Sequence, residues 1–548
     1  MLAERLTYSL LFLCVAFNGH AQDSLTLSRN EESPSLLLRD YQFVKHADAW
    51  LTSHNAAGLT SFRSQNIAQA ELSVNYATGR LVDFGGAVKA LQADVHVESF
   101  YRINPRTIVF GQVGYTNHTG RHMTGSAFMP SSTRHLPFDI VEDSLTNEGT
   151  KHRDTYELSG AVGIDMGRGV SLGIRMDYTA ANYAKYKDLR HKNKLMDMVL
   201  SAGILAEPTQ WLSIGADYLY HRRTESVSFS LYGREDKVYK SFINYGPFIG
   251  KVEQFGNYGL TDKTREMPLA DDYNGFGLQM AVDFLPALSF YHQFTYLQRK
   301  GYYGRKSPYT ITYTNHHSKV YSWNGELMLS TKAARHSLTA DVSIENLENN
   351  FQSYRELRDQ NDVSYYEYYD PVKTGNRLWV NSSLTYTGHY GIRHELPTWT
   401  VTASFSNDRR KQTAYFYPFF RRQDLSARKI NGSITRNIVL QQGIWSVMLN
   451  AGFQKGSGEP CEDGTFVQPS SKQTEPATME PFFWQDYHLL TAPQYHLGLQ
   501  LKYSFHFPGT QLLTYIRGDF QYRKANSLQN EYCGSDQAVY TMALGSTF

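Results

Sequence analysis

The stretch V-S-L-G-I-R-M-D-Y, residues 170–178, alternates apolar with small or polar side chains at every position. A period of two predicts a β-strand with one apolar and one polar face. The same alternation recurs in A-Q-A-E-L-S-V-N-Y (68–76), L-Q-A-D-V-H-V-E (91–98) and H-L-G-L-Q-L-K-Y-S-F (496–505). The sequence therefore predicts an all-β protein whose strands have one face in an apolar environment.

Charged residues occupy the middle of the polar strand faces, which suits either a soluble sheet or a membrane barrel with a wet interior. We predict about 18 strands, with 16 or 14 as alternatives if a loop hairpin has been read as part of the barrel. They begin near residues 67, 91, 107, 154, 170, 195, 211, 275, 287, 319, 336, 377, 399, 425, 444, 494, 512 and 537.

Short and long connections alternate between these strands. The short ones lie near 105 and at 167–169, 207–210, 285–287, 331–335, 388–398, 441–443 and 507–510, and the long ones at 118–153, 181–194, 222–274, 298–318, 347–376, 407–424, 455–493 and 523–536. Short periplasmic turns, long extracellular loops and an even strand number are typical of bacterial outer-membrane barrels. We therefore predict a transmembrane antiparallel β-barrel over residues 67–548 in the outer membrane, with both termini in the periplasm.

The N-terminus has the pattern of a secretory signal peptide. Arg5 precedes an apolar run, and Gly19 and Ala21 are the small residues expected before a cleavage site. We assign residues 1–21 to the signal peptide and residues 22–66 to a periplasmic lead-in or a hatch inside the lumen. The balance of 54 basic and 52 acidic residues argues against nucleic acid as a partner.

The C-terminal stretch Y-T-M-A-L-G-S-T-F, residues 540–548, has its apolar residues on one parity, namely Tyr540, Met542, Leu544 and Phe548. It resembles the sorting and assembly signal of outer-membrane β-barrels, which ends in Phe after alternating apolar residues. Ser546 departs from the pattern, since a bulkier residue is usual there. The resemblance implies recognition by the barrel-assembly machinery, and outer-membrane lipid is the other expected partner.

The stretch A-W-L-T-S-H-N-A-A-G-L, residues 49–59, is similar to the N-P-A-G-L-type stretch of FadL-like outer-membrane transporters. Asn55, Ala57, Gly58 and Leu59 match, and Ala56 replaces the proline. In that family the region forms a small hatch inside the barrel. The organisation of the chain also resembles that of uncharacterised barrels common in Bacteroidota. Residues 22–66 are too few for the folded plug of a TonB-dependent receptor.

Six polar residues on the inward parity are candidates for lining the lumen, namely Asp94, His96, Glu98, Arg175, Asp177 and Asp217. One residue departs from the parity rule, because Arg436 shares the apolar face of its strand. A lipid-facing Arg costs roughly 2–4 kcal/mol at the midplane and little at the interface. Arg436 is therefore expected near the periplasmic rim, or beside a bulge that shifts the register.

Two cysteines and three aromatic clusters fall in the expected long loops. In an oxidising compartment Cys461 and Cys533 either form a disulfide or remain separate thiols. The aromatic clusters at 364–370, 414–422 and 480–487 suit a girdle at the membrane interface or a vestibule that binds a ligand.

These patterns favour an outer-membrane channel or passive uptake barrel for a small or apolar ligand. The alternative is a structural or partner-binding barrel whose loops bind a surface lipoprotein or a secretion component. An enzyme is disfavoured because neither G-x-S-x-G nor H-E-x-x-H occurs. Adjacent histidines on an expected loop, His316 and His317, are more often solvated than metal-bound, so no metal or other cofactor is expected.

Overall fold

A computed structural model describes residues 39–131, 134–142, 148–233, 236–256, 261, 266–285, 287–507, 512–526 and 534–548. The predicted signal peptide, the first part of segment 22–66 and Cys533 lie outside these ranges. The disulfide between Cys461 and Cys533 therefore stays a prediction. Cys461 itself is partly buried and packs against an aromatic cluster.

Strands make up most of the described chain, and they run in the following order. They are β1 (Ile67–Gly79), β2 (Lys89–Asn104), β3 (Thr107–Met123), β4 (Asp139–Glu142), β5 (Gly149–Gly167), β6 (Val170–Lys185), β7 (Arg190–Thr209), β8 (Leu212–Ser230), β9 (Tyr239–Asn244), β10 (Ile249–Phe255), β11 (Met267–Leu285), β12 (Leu288–Ser307), β13 (Thr310–Ser330), β14 (Ala334–Phe351), β15 (Tyr354–Arg358), β16 (Ser364–Tyr368), β17 (Val372–Tyr390), β18 (Trp399–Phe416), β19 (Phe419–Leu440), β20 (Gly443–Ser457), β21 (Glu462–Thr465), β22 (Ala477–Thr478), β23 (Gln494–His506), β24 (Leu513–Ala525) and β25 (Asp536–Thr547).

Eighteen of these strands form a closed antiparallel barrel, which confirms the predicted fold class. The main sheet contains a nineteenth member, β21, which pairs only with the start of β19. β4, β9, β10 and β22 form a separate four-stranded sheet, and β15 and β16 form a hairpin.

The barrel closes between its first and last strands. β1 and β25 pair without a register shift from Gln69 opposite Thr547 to Gly79 opposite Gln537. Beyond the strand end, the Phe548 amide donates to the Ala68 carbonyl at 2.9 Å, and the Ala68 amide donates back. Closure matters because an open strand edge would leave backbone groups without partners in hydrocarbon.

Three connections expected to be long are tight hairpin ends, at 186–189, 308–309 and 417–418. The strands that flank them are long, with 20 residues in β7, 21 in β13 and 22 in β19. A tilted strand needs only about 9–11 residues to cross the hydrocarbon. The backbone hydrogen bonds between these strands therefore continue beyond the hydrocarbon. Polar residues are tolerated there on both faces, so the alternation that marks a strand is lost.

The outer face of the barrel is covered by large apolar side chains. Exposed fractions reach 71% for Met542, 63% for Ile174 and 62% for Leu497. A closed barrel with such an apolar outer belt has the architecture of outer-membrane proteins.

Arg436 lies at the edge of this apolar belt. It is exposed, pairs in register with Trp399 at the start of β18, and its guanidinium carbon lies 4.8 Å from the centroid of the Trp399 ring. No register shift occurs along β19 where it pairs with β18 and β20. The position at the short-turn rim, rather than a bulge, accounts for an arginine on this face.

Helical segments lie at two places in the described chain. Helix α1 (Tyr41–Lys45) and two 3₁₀ helices, Ala49–Thr52 and Ala56–Ser61, precede the barrel, and helix α2 (Glu480–Thr491) lies between β22 and β23. Within the described ranges, no helix combines the length and the apolar character needed to cross a bilayer.

We predict that a charge in the middle of the outer belt destabilises the barrel. Leu449 is 60% exposed and lies between Trp445 and Phe453 on the outward parity of β20. Leu449→Arg should lower the free energy of unfolding in lipid vesicles by about 2–4 kcal/mol. Ile438→Arg, beside the short-turn rim, is the matched control and should cost about 1 kcal/mol or less. Equal losses of unfolding free energy in the two variants would contradict the assignment of Leu449 to the middle of the belt and of Ile438 to its edge.

Candidate functional site

The N-terminal segment, residues 39–66, crosses the lumen at the short-turn end. Arg39 forms an ion pair with Glu395, in the turn between β17 and β18. Phe62 stacks on Phe100 of β2, with ring centroids 5.4 Å apart. Because β2 and β17 lie on nearly opposite sides of the barrel, these two contacts require the segment to span the interior.

Inward-facing glycines on neighbouring strands contact the middle of this segment. Gly163, Gly173 and Gly203 lie directly opposite one another on β5, β6 and β7, and Gly277 continues the row on β11 beyond Asp217 of β8. We call these four glycines the glycine belt. A Cβ atom on Gly173 would lie 2.0 Å from the Ala57 nitrogen, and one on Gly203 would lie 2.2 Å from Oδ1 of Asn55. The segment therefore packs directly on the backbone of the wall.

Asn55 fixes the segment on the belt through its side-chain amide. Its Nδ2 donates to the Ile204 carbonyl at 2.9 Å and to Oε1 of Gln279 at 3.0 Å, and its Oδ1 accepts from the Ala57 amide at 3.1 Å. Asn55 is fully buried. Removing such an amide would leave buried polar groups without partners, which costs about 1–3 kcal/mol each. Trp50 adds an edge-on ring contact with Tyr291 at 5.1 Å.

The described part of the connection between β3 and β5 folds into the lumen from the other end. We call its residues 124–131 and 134–142 the inward loop. Arg299 of β12 donates to the His135 carbonyl at 2.9 Å, and Arg377 of β17 donates to the Leu136 carbonyl at 2.7 Å. The loop is thus attached to wall strands far from its own anchor strands.

Buried charges hold the inward loop in place. Arg134 pairs with Glu225 at 2.8 Å and with Asp271 at 3.1 Å, and its side chain is only 2% exposed. Arg299 pairs with Asp271 at 2.8 Å and with Glu345 at 3.0 Å. Breaking a buried pair by removing one partner is strongly destabilising, because a charge then remains without compensation.

The adjacent histidines singled out in the sequence lie in strand β13 and not in a loop, because β13 already begins at Thr310. His316 is buried and its Nε2 lies 2.6 Å from Asp271. His135 stacks on Trp379 with ring centroids 4.0 Å apart. Among the residues that the structure describes, no group of three or more potential ligands is arranged to hold a metal ion.

Two buried apolar clusters, which together we call the apolar cap, join part of the inward loop to the elements around it. Phe128, Phe138 and Ile140 of the loop pack with Phe229 and Tyr303 of the wall in one buried cluster. A second cluster joins the four-stranded sheet to helix α2 through Val141, Phe242, Phe248, Phe482 and Phe483. Burial raises the pKa of Asp139 in β4 to about 6, and the hydrogen bond from Ser126 and the nearby Arg377 guanidinium limit the rise.

The three aromatic clusters of the sequence have different positions. Residues 480–487 lie in α2, where Phe482 and Phe483 are buried in the cap, so these two rings serve neither as a girdle nor as a free vestibule. Residues 364–370 contain strand β16, and residues 414–422 form the end of the β18–β19 hairpin. There Tyr417 is 63% exposed.

Between the N-terminal segment and the inward loop lies a cavity of about 540 Å³, which we call the chamber. The inward residues of strand β12 show where the chamber lies along the barrel axis. Gln293 accepts a hydrogen bond from Ser53 of the segment, Thr295 lines the chamber, and Arg299 binds the loop. The N-terminal segment thus lines the chamber through His54, and the inward loop binds β12 at Arg299, the next inward residue after the chamber-lining Leu297.

The chamber wall combines hydroxyl, amide and carboxylate groups with five apolar side chains, those of Val199, Leu219, Leu297, Trp323 and Val342. Its polar lining residues are His54, His221, Gln293, Thr295, Ser322, Asn324, Asp341, Ser343, Asn381, Ser382, Ser383, Ser406 and Asp408. Asp341 accepts from Asn324 at 2.6 Å and from Ser383 at 3.1 Å, whereas Asp408 is paired with Lys429 at 2.9 Å. Such a wall can form many hydrogen bonds with a polar solute.

The six sequence-predicted lumen residues lie on the inner face, in two groups that do not line the chamber. Arg175 and Asp177 are paired at 2.8 Å near His54, and Asp217 accepts from Gln279 beside Asn55.

The other three lie on β2. Glu98 holds Lys45 of α1 at 2.6 Å and lies 3.6 Å from His96, whereas Asp94 accepts from Asn75 and Thr116.

The sequence interpretation missed the glycine belt, His54 and Arg134. The belt had a signal, because each glycine interrupts the inward parity of a predicted strand, and a glycine within a strand often marks close approach of another backbone. Arg134 carried no such signal in the sequence, because its partners Glu225 and Asp271 are distant along the chain.

Residues 56–548 match the family described as "Family of unknown function (DUF6850)". The chain belongs to this family. No curated protein matches the sequence. The family description carries no activity, so function has to be argued from the lumen.

Solved structures with similar folds include receptors and a channel. The ferric preacinetobactin receptor BauA from Acinetobacter baumannii is 10% identical, with 88% of this chain and 80% of that chain covered and a TM-score of 0.39. The ferric-catecholate import receptor Fiu from Escherichia coli is 9% identical, with 89% and 82% covered and a TM-score of 0.36. The monoaromatic hydrocarbon channel CymD is 9% identical, with 90% and 91% covered and a TM-score of 0.29.

We predict that Gly173→Ala releases the N-terminal segment from the wall. The new methyl group would overlap Ala57, and such overpacking costs roughly 1–3 kcal/mol, or about 5- to 150-fold in the opening equilibrium. Amide hydrogen exchange over residues 50–60 should accelerate by that factor. Gly160→Ala on β5 is the matched control, since nothing lies within 4 Å of its added Cβ. Unchanged exchange in the Gly173 variant would contradict the packing.

We predict that Arg134→Gln detaches the inward loop. The change leaves Glu225 and part of the charge of Asp271 uncompensated, at a cost of roughly 3–5 kcal/mol. Limited proteolysis should then cut the inward loop in the folded barrel. Arg355→Gln removes the exposed pair with Glu367 and serves as control, because exposed pairs contribute about 1 kcal/mol or less. Equal protease resistance of both variants would refute the role of the charges.

Proposed function

We propose that this barrel is a gated uptake channel of the outer membrane for a small polar solute. The observation that carries the proposal is the chamber, which is lined in part by polar side chains and lies between the level of the N-terminal segment and the level at which the inward loop binds β12. A barrel of about 16–18 strands is wide enough for an aqueous channel when nothing occupies it. The two bounding elements therefore act as gates.

The orientation is part of this proposal. Short turns face the periplasm and long loops face the outside in barrels of this class. The N-terminal segment is then the periplasmic gate, similar in place to the FadL-type hatch, and the inward loop is the outer gate. Both termini are periplasmic, and an origin in Bacteroidota fits the organisation of the chain.

The chemistry of the wall favours a solute that donates hydrogen bonds. Asp341 has amide and hydroxyl donors but no cation among its described hydrogen-bond partners, and serine hydroxyls surround it. A solute with hydroxyl or amino groups can replace water there. An entirely apolar ligand would leave these groups without partners, and apolar side chains such as Leu219, Leu297 and Trp323 line the rest of the chamber, so we propose a polar solute that also carries an apolar face.

A second candidate function is that of a structural or partner-binding barrel. Large aromatic residues are exposed at the long-loop end, namely Tyr309 at 61% and Tyr417 at 63% at hairpin ends and Tyr369 at 55% between β16 and β17. A surface lipoprotein is the partner we would expect there. We expect no enzymatic activity, because Glu98, the carboxylate beside His96, is already bound to Lys45 of α1.

We predict that opening both gates converts the protein into a pore. The double variant Gly173→Ala/Arg134→Gln should raise planar-bilayer conductance at least roughly tenfold over the wild type, in line with the opening equilibria expected for each gate. Adding Asn381→Trp should reduce the conductance again, because Asn381 lines the chamber. The control Gly160→Ala/Arg355→Gln should behave as wild type. A folded double variant that does not conduct would refute the channel and favour the partner-binding barrel.

A further inference from the structure

The outer surface of β18, β19 and β20 carries a patch of cations at the long-loop end. Five basic side chains are exposed there on the outward parity, namely Arg409, Lys411, Arg422, Arg428 and Lys455. We call them the basic patch.

The basic patch lies directly above the apolar belt. Along β20, Lys455 is the next outward residue after Phe453, and along β19, Arg428 is the next one after Ile430. Phe453 and Tyr495 form a ring pair at 5.0 Å, of the kind found at the membrane interface. The cations therefore lie at the depth of lipid headgroups, with acyl chains below them.

Two cations of the patch face each other without an acidic partner. Arg428 lies directly opposite Lys455 on one side and opposite Asn407 on the other. Within the described chain, neither cation has an ion pair or a side-chain hydrogen bond. Like charges directly opposite on neighbouring strands repel, so the pair destabilises the bare protein.

Two other outward cations at this rim, Arg409 and Lys194, are paired. Arg409 of the same patch forms two hydrogen bonds with Asp424, at 2.9 and 2.7 Å. On other strands, Lys194 lies 2.8 Å from Glu266.

We propose that Arg428 and Lys455 bind the headgroup phosphate of an anionic glycolipid in the leaflet at the long-loop end. An arginine fork matches phosphate oxygens and a lysine adds a point charge, so one phosphate between them neutralises both. The aromatic belt below fixes the source as a lipid rather than a free anion. This site is independent of the channel, since it faces away from the lumen.

The test uses the full-length barrel in phosphatidylcholine nanodiscs with or without lipid A. Lipid A should raise the unfolding temperature of the wild type, and native mass spectrometry should show lipid A bound. Arg428→Gln/Lys455→Gln should weaken binding roughly 25-fold, from a factor of roughly five for each cation. In phosphatidylcholine alone the variant should be at least as stable as the wild type, because the repulsion is gone.

The matched control is Lys192→Gln/Lys194→Gln, which removes two outward cations from β7. It should bind lipid A as the wild type does. Equal binding by the β19–β20 variant and the wild type would overturn the proposal. So would loss of lipid A from the wild type on addition of inorganic phosphate at matched ionic strength, which would identify a free-anion site. Heat-modifiable migration on gels verifies that each variant is folded.

Discussion

Every peptide group within hydrocarbon needs a partner, and this requirement determines the rest of the molecule. Strands can meet it only by closing, and the continuous register between β1 and β25 achieves closure. With 18 strands the ring is too wide for wall side chains to fill. What occupies the lumen must therefore come from outside the wall, and here it comes from the N-terminal segment and the inward loop.

The two lumenal elements are held by different forces. The N-terminal segment lies against glycine backbone and is fixed by close packing and by the amide of Asn55. The inward loop is held by charges, with Arg134 and Arg299 sharing Asp271. Packing is insensitive to salt, whereas ion pairs depend on the burial that excludes water from them. Loss of the apolar cap would therefore weaken the attachment of the inward loop before that of the N-terminal segment.

The sequence was sufficient to predict the strands of the barrel wall but not the elements inside the lumen, and the reason is physical. Period-two alternation reports which face meets lipid, so strand positions and the count of 18 followed from local patterns. Where β12, β13 and β19 leave the membrane, both faces meet water and the pattern disappears. The contacts of Arg134 with Glu225 and Asp271 join residues far apart in the chain, and no local signal encodes them. Helix α2 was missed because its aromatic run resembles a girdle when the partner Phe248 is not known.

In the proposed channel, the chamber would restrict which solutes pass more than the width of the barrel does. A solute in the chamber displaces water from Asp341, Asn381 and the surrounding serines. Each buried polar group left without a partner costs about 1–3 kcal/mol, so an apolar solute that strips two or three of them is disfavoured by several kcal/mol. A solute with matching donors avoids that cost. Because both bounding elements contact the same strand, β12, within a few residues of the chamber, a bound solute lies where it can affect either one.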